Sequence, residues 1–125
     1  MDMPRTVLVV EDTEIGQDTL ELALAPVPDV AVHMVKTAEE ALLRLGDDVC
    51  ALVTDLNLPR MDGFELIETV RSQPARRALP ILVISGNSDP DTPSRVVALG
   101  ADAYFPKPFS PAEVRSRLEE LIHAS

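Results

Sequence analysis

The sequence predicts an α/β fold: a doubly wound, five-stranded parallel sheet with five helices spread over its two faces. Three observations carry that prediction. Five short apolar runs recur along the 125 residues, and each is followed by a helical pattern. The runs beginning at Thr6, Val49 and Ile81 are nearly unbroken in apolar, often β-branched residues, as expected of strands buried on both faces. Polar chemistry collects where these runs end, at Glu11 and Asp12, at Asp55 and at Ser85.

The elements follow in order. Thr6-Val7-Leu8-Val9-Val10 is the first strand. A helix follows, with Ile15 and Leu22 seven apart and Leu20 and Leu24 four apart as its helical spacing, and Pro26 and Pro28 stop it. Val30 to Lys36 is a more mixed strand, placed nearer an edge. Thr37-Ala38-Glu39-Glu40 reads as a capping box, with Ala38, Ala41, Leu42 and Leu45 as the buried face and Gly46 as the stop. Val49-Cys50-Ala51-Leu52-Val53-Thr54 is the third strand and delivers Asp55 into a turn-rich loop, Leu56 to Gly63. Gly63, Leu66, Ile67 and Val70 line the next helix. Ser72 to Ala78 is a polar loop whose arginines read as solvated surface. Ile81 to Ser85 is the fourth strand, and Pro93 opens a helix carrying Val96, Val97 and Leu99 that Gly100 ends. Ala103-Tyr104-Phe105 is the fifth strand. Ser110-Pro111-Ala112-Glu113 starts a last helix with Val114, Leu118, Leu121 and Ile122 facing the core.

Composition bounds the function. With no internal repeat or linker, residues 1–125 read as a single domain, long enough to bury a core unaided. Eleven basic against 21 acidic residues give a net charge of -10, which disfavours direct binding to nucleic acid or anionic membrane and suits the gathering of a divalent cation. One cysteine, Cys50, reads as a small buried hydrophobe in a reducing compartment. The start, Met1 to Arg5, has no signal-peptide pattern, and no apolar stretch reaches the roughly 18 residues a membrane helix needs. A cytoplasmic protein is expected. His33 and His123 read as a strand residue and a frayed C-terminal residue.

In open parallel sheets functional groups gather at the carboxyl ends of the strands. There the chain collects Glu11, Asp12, Asp55, Ser85 and, just past the fifth strand, Lys107. Crowded carboxylates disfavour one another's charge unless a cation offsets the repulsion. Mg²⁺ takes oxygen ligands and keeps several waters, so Asp12 and Asp55 are candidate direct ligands, Glu11 a direct or water-mediated one, and the Asn57 carbonyl a further donor. Taken alone, Glu11-Asp12 also fits an acidic helix start. A carboxylate can serve as a nucleophile, and Lys107 and Ser85 are placed to stabilise a phosphoryl group on Asp55. Lys107-Pro108 permits a cis bond.

These pieces together resemble the receiver domain of two-component response regulators. The match runs through Val9-Val10-Glu11-Asp12, Asp55-Leu56-Asn57-Leu58-Pro59-Arg60-Met61-Asp62-Gly63, Ser85-Gly86, and Gly100 through Phe109. The resemblance covers essentially the whole chain. It implies a flavodoxin-like strand order, 2-1-3-4-5, and a cis Lys107-Pro108 bond. It implies that Asp55 accepts a phosphoryl group from a sensor histidine kinase or histidine phosphotransfer protein, that Glu11 and Asp12 hold Mg²⁺, and that Lys107 contacts the phosphoryl group. Ser85 and Tyr104 match the switch pair, and Asn57 and Asn87 match positions that tune autodephosphorylation. The output is then a change in the surface of the fourth helix, fifth strand and fifth helix, read by a downstream effector, with a phosphorylation-linked dimer as one form it can take. Departures are Ser85 where threonine is common, Thr13 where asparagine is common, and the stiffening pair Pro90 and Pro93.

Three rival readings fit the residues less well. An aspartyl-phosphate phosphatase needs an acid two residues after its nucleophile, where this chain has Asn57. A flavin-binding module needs a phosphate loop after the first strand, where Glu11-Asp12 repels phosphate. A degenerate receiver acting only as a scaffold sits poorly with five competent residues at the key positions. A start at methionine and an end just after the last helix favour a stand-alone receiver.

Overall fold

The computed structural model describes residues 5–124, so the reading of the extreme N-terminus as free of a signal sequence lies outside the described residues. The elements are β1 (Arg5–Val10), α1 (Glu14–Leu24), β2 (Val30–Val35), α2 (Ala38–Arg44), β3 (Val49–Thr54), α3 (Gly63–Arg71), a 3-10 turn (Pro74–Arg76), β4 (Ile81–Ser85), α4 (Thr92–Leu99), β5 (Ala103–Pro106) and α5 (Pro111–Ala124). The five strands pair in parallel in the order β2-β1-β3-β4-β5, with β2 at an edge as its mixed composition implies.

Strand alternation sorts the side chains onto the two faces. Leu8 and Val10 of β1 and Leu52 of β3 join Leu66, Ile67 and Val70 of α3 and Val96 of α4 on one side. Val7 and Val9, with Val53, Leu82 and Ile84, meet Leu20 and Leu24 of α1 and Val114 and Leu118 of α5 on the other. Burying each such side chain contributes about 1.5–3 kcal/mol.

Several expectations need correction. Ile15 and Leu22 are 82% and 77% exposed. At about 100° per residue, Leu22 lies about 200° from Leu20 and Leu24, so the two pairs cannot share a face, and Leu20, Ala23 and Leu24 form the buried stripe. Val97 is exposed for the same reason, one step round from the buried Val96. Cys50 is only half-buried. It is the extra residue where β3 slips against β1, since Thr6 pairs with Val49 and Val7 with Ala51.

The helix ends carry local capping signals. Thr37 caps α2, its side chain accepting the Glu40 N–H at 3.1 Å, but Glu40 reaches back only to the Lys36 N–H at 3.5 Å. Asp62 and Glu65 complete a reciprocal capping box on α3. Gly100 closes α4 in the left-handed conformation, with φ of 112°, whereas α2 ends on an extended Leu45 ahead of Gly46. The Ser72–Ala78 loop is more ordered than its polarity suggests. Arg76 donates to the Leu45 carbonyl at 2.9 Å, and Arg71 ties the Gly100 carbonyl at 3.0 Å, the Arg76 carbonyl at 2.8 Å and Asp102 at 3.1 Å.

Candidate functional site

The sheet register builds the site. Val10 of β1 lies opposite Thr54 of β3, so the next residues, Glu11 and Asp55, emerge side by side. The Asp55 N–H donates to the Val10 carbonyl at 3.1 Å. Across β4 and β5, Ser85 lies opposite Pro106, and the Lys107 N–H donates to the Ser85 carbonyl at 2.9 Å. The Lys107-Pro108 bond is cis, as the resemblance implies.

Lys107 brings the acids together. Its Nζ donates to Asp55 Oδ2 at 2.8 Å and to Glu11 Oε2 at 3.1 Å. Glu11 is 1% exposed and Asp55 7%, so two nearly dry carboxylates face one ammonium. Burial works against the Lys107 charge, but the hydrogen bonds and charges of Asp55 and Glu11 outweigh it and hold the ammonium pKa above the ordinary lysine value. The other Asp55 oxygen, Oδ1, accepts the N–H groups of Leu56 at 2.6 Å and Asn57 at 3.3 Å.

Glu11 is fixed from its own side as well. Its Oε1 accepts the Thr13 hydroxyl at 2.9 Å and the Thr13 N–H at 3.2 Å, and the same hydroxyl caps α1 by accepting the Gly16 N–H at 3.0 Å. Because α1 starts at Glu14 behind the cap Thr13, Glu11 belongs to the strand end and not to an acidic helix start. Asp12 has an exposed side chain.

Ser85 is fully buried, and its Oγ accepts the Asn87 N–H at 3.1 Å. Tyr104 is half-buried, and its hydroxyl donates to the Asn87 carbonyl at 3.4 Å. Asn87 therefore bridges Ser85 and Tyr104 through its backbone, while its side-chain oxygen accepts the Asp89 N–H at 2.9 Å within the loop. Asn57 is exposed beside Asp55.

Hard oxygens of the kind Mg²⁺ takes are present in the Asp55 carboxylate, the exposed Asp12 carboxylate and the Asn57 carbonyl. Glu11, like Asp55, accepts from Lys107, and it also accepts from Thr13. Among the described residues, no three acids, histidines or cysteines stand close enough to hold a metal by themselves. Mg²⁺ bound through one or two carboxylates, phosphate oxygens and waters does not require three.

Four contributors escaped the sequence reading. Thr13 holds Glu11, and the Thr54 hydroxyl donates to the Asp55 carbonyl at 2.7 Å. A Cβ at Gly16 would collide with the Glu11 carboxyl, and one at Gly63 with the Asp55 carbonyl oxygen. Gly63 stands in the helical pattern as a face residue, and nothing in the pattern shows that its missing side chain makes room for the Asp55 carbonyl.

An apolar groove of about 320 Å³ opens beside the site, lined by Glu11, Thr13, Ile15, Gly16, Lys107 and Phe109 among others. A larger cavity, about 390 Å³, lies at the amino ends of the strands around Arg5, Asp48, Cys50 and Pro80, far from this chemistry.

The model of the response regulator receiver domain matches residues 7–119. The chain belongs to that family. It is a receiver domain of two-component response regulators, a phosphoacceptor module of signal transduction. Among its relatives, the two-component response regulator PhoP of Pseudomonas aeruginosa is 38% identical over 119 residues, which are 94% of this chain and 52% of PhoP. The chain thus spans about half the length of such a relative. A response regulator receiver protein from Pseudomonas putida superposes with a TM-score of 0.81 at 28% identity, covering 100% of both chains. The receiver domain of the Pseudomonas aeruginosa sensor histidine kinase PA1611, solved with magnesium coordinated in its active site cleft, gives a TM-score of 0.82 at 27% identity, over 95% of this chain and 98% of that one. No helix among the described residues is long and apolar enough to cross a membrane.

Proposed function

We propose that Asp55 of this receiver is the phosphoryl acceptor and that residues 1–125 act as one phosphorylation-controlled switch. The observation that carries this reading is Lys107 bridging Asp55 and Glu11 at the strand ends. One Asp55 carboxylate oxygen attacks the phosphorus of a phosphohistidine on a sensor kinase or phosphotransfer protein. The new P–O bond forms as the P–N bond breaks, and the departing imidazole nitrogen keeps the electron pair and takes up a proton. Lys107 exchanges part of its carboxylate contact for the phosphoryl oxygens. The N–H groups of Leu56 and Asn57 keep the carboxylate oriented, which is most of what phosphoryl transfer asks of a protein. Asp12, Asp55 and the Asn57 carbonyl would hold Mg²⁺, with Glu11 acting through Lys107 or a water, and the bound cation supplies charge neutralisation.

The switch is read through Ser85 and Tyr104. Both are tied to Asn87, so drawing the Ser85 hydroxyl onto a phosphoryl oxygen breaks its bond to the Asn87 N–H and loosens the Tyr104 contact on the same residue. The surface of α4, β5 and α5 then changes for an effector or a second copy. A shift from 1:99 to 99:1 needs about 5.5 kcal/mol of differential stabilisation, and charge-assisted bonds from Lys107 and Ser85 supply a large share. Asn57 and Asn87 set the lifetime of the phosphoryl group in autodephosphorylation. The groove holding Ile15 beside Lys107 suits docking of the donor protein. Cytoplasmic placement follows from that donor chemistry.

Incubation with acetyl phosphate and Mg²⁺, read by intact mass, tests the reading. One phosphoryl adduct is expected in the wild type and none in Asp55→Asn. An adduct that survives the substitution, or none in either, refutes it.

A further inference from the structure

The loop that follows Asp55, from Leu56 to Asp62, carries Asn57. Its two ends are secured by the core. Leu56 and Leu58 are buried, the Gly63 N–H donates to the Leu56 carbonyl at 2.9 Å, and Asp62 caps α3. The middle has no such support. Pro59 and Arg60 are exposed, and Arg60 sits at φ of 63°, the left-handed region that a side chain adopts only at a cost. Met61 packs against the core beside it, and Arg60 is tied to another element through its side chain. Arg60 Nε donates to Glu39 Oε2 at 3.1 Å, from the first turn of α2. The second Glu39 oxygen is buried and has no hydrogen-bond partner among the described residues. The N–H of Glu39 itself, opposed by burial, and then Arg60 and the Met61 N–H hold its carboxyl below the usual carboxylate range. Arg60 at the loop turn thus faces an acid on α2.

We propose that Glu39 and Arg60 are positioning residues for the acceptor site: their ion pair holds the left-handed turn at Arg60 and, through it, the loop that presents the Asn57 carbonyl beside Asp55. This rests on the reading of Asp55 as acceptor. The pair touches no reacting atom. Arg60 and Glu39 side chains are 68% and 40% exposed, and exposed pairs contribute little to global stability. The effect belongs to the loop: its ordered population changes by roughly two- to five-fold, the range such a pair can supply.

The test compares wild type with Glu39→Gln, Arg60→Asn and the double variant, and with Arg60→Lys as the conservative replacement. Asparagine tolerates the left-handed backbone, so Arg60→Asn removes the cation without disturbing the turn. Three readouts are used: urea unfolding, hydrogen exchange at the Leu58 and Gly63 amides, and the Mg²⁺ half-saturation point from amide chemical shifts of residues 55–63. Expected are unchanged unfolding midpoints, exchange and half-saturation each raised two- to five-fold in both single variants, no further change in the double variant, and most of the wild-type value in Arg60→Lys. Unchanged exchange, an unchanged half-saturation point, additive single effects, or a wild type whose shifts ignore Mg²⁺ each overturn the proposal. Acetyl phosphate labelling of the wild type separates the two levels. Its failure refutes the acceptor reading, while exchange and titration still decide the ion pair.

Discussion

Replacing Lys107 with methionine removes the cation between two buried carboxylates and keeps most of the aliphatic stem. Stripping a buried charge pair of one partner costs about 3–5 kcal/mol when the site is fully dry. The Lys107 side chain is 33% exposed, so water screens part of the loss. A cost of about 1–3 kcal/mol at pH 7 follows, or a fall in Tm of about 4–12 °C for a domain this size. The pH dependence identifies the cause. The raised pKa of Lys107 makes its contribution fully present below the ordinary lysine value of 10.5 and lost as pH rises through the folded value, so the wild type converges on the variant at high pH. Urea unfolding followed by circular dichroism between pH 7 and 11 reads that convergence. A variant as stable as the wild type at pH 7, or a deficit that ignores pH, refutes the reasoning.

Four further outcomes are expected. Gly63→Ala drives a methyl group into the Asp55 carbonyl and the Leu56 backbone and costs about 1–3 kcal/mol in urea unfolding, whereas Gly86→Ala meets nothing within 4 Å and leaves the midpoint unchanged. Leu24→Ala costs about 2–5 kcal/mol while Leu22→Ser stays within about 0.5 kcal/mol, and equal costs would contradict the placement of the buried α1 stripe. Hydrogen bonds from Arg44 and then Thr6 hold the Asp48 carboxyl at about 2, so Asp48 stabilises the fold above its unfolded value of about 3.9 and loses that effect as pH falls toward 2. An acid titration should therefore show a wild-type lead over Asp48→Asn at pH 5 that closes near pH 2. Ile15→Ser leaves labelling by acetyl phosphate intact and slows transfer from a phosphohistidine-bearing donor protein; equal slowing of both would rule out a docking role for the groove.

Much of this was legible in the residues because the responsible patterns are local. Unbroken apolar runs mark β1, β3 and β4, and the acids and hydroxyl at their ends mark the site. Asp55, Glu11 and Lys107 do meet, as strands ending in one place require. What the pattern missed needs three dimensions. Spacing of seven put Ile15 and Leu22 on one side of α1 but could not say which side the sheet covers. The slip at Cys50 depends on how β3 meets β1. Asn87 as the bridge between Ser85 and Tyr104, and Gly63 as room for the Asp55 carbonyl, arise from contacts between elements that no run of residues encodes. Strand order came from the family resemblance alone, since a parallel sheet of five strands admits several orders.

The central claim is that Asp55 carries the phosphoryl group, and locating the acyl phosphate tests it most directly. After labelling with acetyl phosphate and Mg²⁺, borohydride reduces an aspartyl phosphate to homoserine, which peptide mass mapping assigns to a position. Homoserine at position 55, on the peptide containing Leu56 and Asn57, is the result expected. Homoserine at Asp12 or another aspartate, or none in protein that has gained phosphoryl mass, would contradict the account.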